Sequence, residues 1–144
     1  MLWLVSEKQE LLLARRSDSK KQDPGLWGPS VTGKLEERET YSKALARETE
    51  EELGLTIDDY QPEYLFEIDF EHPDGEVRHF AVYAARVMKA ISDKIIIDKN
   101  EVDQVRWAPI GEVKELLQTE PGEILPASAF VLWQQVIKEL NIQF

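Results

Sequence analysis

The chain has 144 residues, 42% hydrophobic and 31% charged, a balance that suits one globular domain over 1–144 with a sizeable core and excludes a disordered polymer. A formal net charge of −11 argues against broad binding to nucleic acid or to an anionic membrane surface, because both are themselves negative. There is no cysteine, which rules out disulfides, thiolate zinc sites and cysteine nucleophiles.

Residues 1–5 are apolar but the run breaks at Ser6 and Glu7. It is too short for a signal peptide or a transmembrane helix, and a cytoplasmic protein is expected. Residues 2–5 and Glu10–Arg16 read as two strands joined by a hairpin connection over 6–9. Residues 17–28, SDSKKQDPGLWG, combine turn formers with a Pro-Gly pair and read as a loop. With Arg15 and Arg16, Lys20 and Lys21 of this loop form the one basic concentration in an acidic chain. Such charges are either solvated or serve as cationic donors to an anion such as a diphosphate. Trp27 either closes a core edge or stacks on a flat or apolar ligand.

Residues 29–35 read as a short extended piece, after which Thr40 or Ser42 offers an N-cap to a helix that ends before Gly54. On that helix Glu48, Glu51 and Glu52 lie at i, i+3 and i+4, so their carboxylates leave one face within about a turn of each other. Three like charges there repel, and a hard divalent ion such as Mg²⁺ or Mn²⁺ would reverse the penalty. The alternative is a solvated helix paired through Arg47 and Lys43. Ser42, Leu45, Ala46, Thr49 and Leu53 fall on another side and are expected to pack.

Downstream, 63–70 alternates in part and 72–75, His-Pro-Asp-Gly, turns the chain into a strand over Val77–Val87, giving a second antiparallel pair. A brief apolar run (95–97), an acidic loop (98–101), a strand (105–108) and two helices (111–117 and 128–140) complete the expected elements. Strands interleaved with helices suggest a mixed sheet covered on both sides. Trp107 reads as core; His72 and His79 lack ligand spacing and read as structural or surface residues.

The spacing Gly33, five residues, Glu39, seven residues, Arg47-Glu48-Thr49, one residue, Glu51-Glu52, one residue, Gly54-Leu55 resembles the Nudix box, G-x5-E-x7-R-E-U-x-E-E-x-G-U, where U is a bulky aliphatic residue. Thr49 is the one departure. The resemblance implies an α/β fold, a Nudix-type α/β/α sandwich with a mixed β-sheet. It also implies an Mg²⁺-dependent pyrophosphohydrolase, with Mn²⁺ as a substitute, that cleaves a diphosphate linkage by attack of water on phosphorus. Glu48, Glu51 and Glu52 would be the metal ligands, Arg47 would orient the glutamates, and Glu39 would support the loop or a metal water. Either Glu52 or Glu101, whose NEVDQVRW context is similar to an acidic loop of many Nudix hydrolases, would be the base.

Residues 15–34, RRSDSKKQDPGLWGPSVTGK, resemble the isopentenyl diphosphate isomerase branch of the same superfamily, in which the residues matching Arg16 and Lys20 contact the substrate diphosphate. Two positions depart from it: Thr32 stands where that branch has its catalytic cysteine, and Lys34 where it has a histidine metal ligand. A threonine hydroxyl is a far poorer acid than a thiol and cannot readily move protons at an allylic carbon. The expectation is therefore a hydrolase. The rivals are an isomerase with other acid and base residues, and a non-catalytic diphosphate sensor. A small-molecule diphosphate is the expected partner, with no stable nucleic-acid or membrane partner; a homodimer is left open.

Overall fold

The structure, a computed structural model, describes residues 1–126 and 138. Strand β1 (Leu2–Ser6) is buried along its whole length, as a strand packed on both faces must be, and its side chains sort by the two-residue period of a strand. Trp3 and Val5 join Leu11, Leu13, Val82 and Val113 on one face of the sheet. Leu2 and Leu4 join Leu12, Leu45, Leu53, Leu55 and Ile91 on the other.

The sheet grows outward from β1 and from β2 (Glu10–Arg16). On one side β2 runs antiparallel to β6 (Val102–Pro109), with Leu12 opposite Trp107 and a register shift between Arg15 and Arg16. On the other it pairs antiparallel with β1 and, further along, with the two-residue β3 (Trp27–Gly28). Strand β5 (Val77–Val87) lies parallel to β1, Leu2 opposite Tyr83, and β4 (Glu63–Glu71) pairs antiparallel with β5 at the edge. One parallel pair among antiparallel ones makes the sheet mixed, as expected.

Helix α1 (Tyr41–Leu53) and the short α2 (Ile57–Tyr60) pack on the Leu2–Leu4 face, and α3 (Ile110–Thr119) on the Trp3–Val5 face. A 3-10 turn (Lys89–Lys94) follows β5, and another (Pro121–Glu123) follows α3. Thr40 is the N-cap of α1, its side chain accepting from the backbone of Lys43, and Gly54 closes the helix at φ 70° with its N–H donating to Glu50. No described helix is long and apolar enough to cross a membrane.

Several expectations change. Strand pairing in the third segment falls at Trp27–Gly28, inside the stretch read as a loop; residues 29–35 contribute only a single bridge, Val31 to Leu2. The cause is the turn at Gly25 (φ 73°), whose N–H donates to the Arg16 carbonyl and brings the chain straight back to β2. Pro29, which has no N–H, cannot continue the ladder. Ser42 is exposed and Ala46 half-buried, while Ala44, Leu45, Thr49, Glu52 and Leu53 are the buried positions of α1. The helix expected at 128–140 lies outside the described residues apart from residue 138.

Candidate metal centre and its pocket

Arg47 sits at the middle of the acidic cluster. Its Nε and Nη2 donate to the two oxygens of Glu39 at 2.8 and 2.9 Å, Nη1 to Glu48 at 2.7 Å and to Glu51 at 3.4 Å, and Nη2 also to the Lys34 carbonyl at 3.0 Å. One planar fork thereby ties the loop before the helix to the helix itself. The bonds from Arg47, and then the backbone N–H of Glu36, push the Glu39 carboxyl down to about 2. Both Glu39 oxygens are committed to the arginine.

Gly33 makes room for the second glutamate. A Cβ at Gly33 would lie 2.3 Å from Glu48 Cδ and 2.7 Å from its Oε2, so the loop backbone and this carboxylate occupy adjoining space that a side chain would fill. Thr49, the departure from an aliphatic pattern, is fully buried and donates its hydroxyl to the Leu45 carbonyl at 2.7 Å. A satisfied hydroxyl of this kind costs the core little.

Glu52 is the unusual member. It is buried, and its Oε2 has no hydrogen-bond partner among the described residues. Burial first, and then the charges of Glu48 and Glu101, push its carboxyl up to about 8. At the same end of the helix, Asp98 N–H donates to the Glu52 carbonyl at 3.1 Å and Ile96 N–H to the Leu53 carbonyl at 2.9 Å, which ties the segment before β6 to the end of α1. Glu51 by contrast stays largely exposed.

The acidic and basic loops meet. Lys20 Nζ donates to Glu101 Oε2 at 2.8 Å, and Ser17 N–H donates to the Glu101 carbonyl at 3.0 Å. Arg16 Nε donates to the Gln22 carbonyl at 2.7 Å. A cavity of about 510 Å³ opens beside them, lined by Arg16, Thr32, Gly33, Lys34 and Glu48, with Tyr41, Phe80 and Tyr83 as aromatic walls. Arg16 and Glu48 thus face one cavity, whereas Lys20, Glu51, Glu52 and Glu101 are not among its lining residues.

The arrangement differs from three glutamates converging on one helical face. Among the described residues no three Asp, Glu or His side chains close into a preformed cage, since Arg47 engages Glu48 and Glu51 while Lys20 engages Glu101. The donor set nevertheless fits a hard divalent cation: every donor is a carboxylate oxygen, and the partnerless Oε2 of Glu52, beside two further negative charges, is the group that such a cation would satisfy. Sequence reasoning missed Gln22, Asp23 and Asp74, which join the basic loop to the β4–β5 turn around His72; the turn signal at 72–75 was visible, but not what it touches.

A family model described as the NUDIX domain matches residues 1–128. The chain is 32% identical over 127 residues to an isopentenyl-diphosphate Delta-isomerase of Klebsiella pneumoniae, covering 86% of this chain and 67% of the relative. Its fold is similar to the crystal structure of DR0079 from Deinococcus radiodurans, with a TM-score of 0.73, 26% identity, and coverage of 92% of this chain and 78% of the other. It is also similar to a MutT protein from Methanosarcina mazei, with a TM-score of 0.72, 23% identity, and coverage of 99% and 92%.

Proposed function

The chain belongs to the NUDIX domain family, and from that premise we propose that it is a Mg²⁺-dependent pyrophosphohydrolase acting on a small organic diphosphate. The observation that carries the reading is the buried carboxylate oxygen of Glu52, beside Glu48 and Glu101 and without a partner among the described residues. A helix that only needed solvated charge would not bury one of its glutamates.

Glu48, Glu51 and Glu52 would hold the ion; when bound, Mg²⁺, or Mn²⁺ in its place, neutralises diphosphate oxygens and lowers the pKa of water. Arg47 keeps Glu48 in place and is itself fixed by Glu39. Arg16 and Lys20 bind the non-bridging oxygens and stabilise charge on the leaving phosphate. Glu52 or Glu101 takes the proton of the attacking water as its oxygen bonds to phosphorus. The bridging P–O bond breaks, and its electron pair leaves with the second phosphate. Because Lys20 holds Glu101 in the structure, a diphosphate that draws Lys20 away also releases Glu101.

The isomerase reading has a specific observation in its favour, the 32% identity to a protein of that name. Against it stand Thr32 and Lys34, both lining the cavity where that resemblance calls for a cysteine and a histidine. The loop and the aromatic walls lean the substrate toward a small or prenyl-type diphosphate. Incubation with Mg²⁺ and a panel of nucleotide, dinucleotide and prenyl diphosphates, followed by mass, tests the reading. Phosphorylated fragments that form only with metal are expected. Double-bond migration without cleavage would make the chain an isomerase, and tight binding without turnover would make it a sensor.

A further inference from the structure

The turn between β4 and β5 grips the basic loop through a buried histidine. His72 is 7% exposed, and both of its ring nitrogens are engaged. The backbone N–H of Asp74 donates to Nδ1 at 3.1 Å, which leaves the Nε2–H to donate to Asp23 Oδ2 at 3.2 Å. Asp74 Oδ2 also lies 3.0 Å from Nδ1. Beside this bond, Gln22 Nε2 donates to Asp74 Oδ2 at 3.1 Å, and Arg78 donates to the same oxygen at 2.5 Å.

The two loop residues held in this way are Gln22 and Asp23, and the Gln22 carbonyl is the acceptor for Arg16 Nε. Asp23 has φ 49°, a left-handed turn that an aspartate tolerates, and its side chain is held there by His72. Arg16, Gln22, Asp23 and His72 all line the same cavity. A guanidinium on a long side chain loses much rotamer freedom when it binds an anion, unless its position is set beforehand.

We propose that His72 is a positioning residue for diphosphate binding: by holding Asp23, and with it the Gln22 carbonyl, it aims Arg16 into the cavity. This rests on the diphosphate reading above. His72 then acts through Arg16 and touches no substrate itself. A histidine that merely packed the turn would affect stability without affecting the anion.

The test is calorimetric titration of the Mg²⁺-loaded protein with imidodiphosphate, at a temperature where every variant is shown by melting to be folded. His72→Ala and Asp23→Ala should each weaken binding about five- to tenfold. His72→Gln, whose amide replaces the Nε2–H donor, should restore affinity to within about twofold. In an Arg16→Ala background, His72→Ala should cause no further loss, because the group it positions is gone. Asp23→Ala decides the matter if His72→Ala does not fold. Wild-type affinity in Asp23→Ala, or an equal loss with and without Arg16, would overturn the inference. Failure of the wild type to bind the probe would instead remove the diphosphate reading, and this inference with it.

Discussion

Glu52 shows how one buried charge links stability to chemistry. Its carboxyl is held up at about 8 in the folded chain, against an unfolded value of 4.5, chiefly by burial. The folded state therefore binds this proton more tightly than the unfolded state. Without metal, stability should fall as pH rises from about 4.5 to about 8 and level off above that range. Saturating Mg²⁺ should flatten or reverse the trend, since the ion favours the ionised carboxylate. Glu52→Gln keeps the shape and removes the charge, so at pH 9 without metal it should be more stable than the wild type by at least about 1 kcal/mol. The same variant should lose at least about a hundredfold in turnover. Melting curves in chelator and in Mg²⁺ across that pH range check the first effect. A metal-free wild type as stable at pH 9 as at pH 5 would contradict it.

At the scale of elements, α1 is where sequence and structure agree best, because its signals are local. The Thr40 cap and the left-handed Gly54 follow from residue type and spacing. A Cβ at Gly54 would meet Ile96 Cβ and the Ile96 carbonyl oxygen, each at 3.3 Å, on top of the cost of φ 70°. Gly54→Ala should therefore destabilise the protein by about 1 kcal/mol or more, and it should also loosen the segment bonded to the end of α1. Hydrogen exchange at the Ile96 and Asp98 amides, which bond to the end of α1, should speed up in that variant. Unchanged exchange would detach the cap from the site. The burial of Glu52 was not legible because a helical wheel fixes which residues share a face, not how wide an arc its neighbours cover. The brief β3 was missed for a similar reason: its two residues pair only because Gly25 turns the loop back on β2.

For the whole molecule, the net charge of −11 conceals a local pairing of opposite signs. The basic loop after β2 and the acidic loop before β6 are about eighty residues apart in sequence, yet Lys20 and Glu101 form an ion pair. The antiparallel β2–β6 ladder brings them together. The ladder, like the parallel β1–β5 pairing, depends on contacts between distant segments that no periodicity announces. The box from Gly33 to Leu55 and the basic run were readable as motifs; the ion pair between Lys20 and Glu101 was not. Turnover in heavy-oxygen-labelled water with Mg²⁺ would show whether water attacks phosphorus at this site. One labelled oxygen should enter a phosphorylated product of the wild type, and almost none a product of Glu52→Gln. Phosphorylated products of the wild type none of which carries the label, or a rearranged carbon skeleton with its diphosphate intact, would contradict attack at phosphorus.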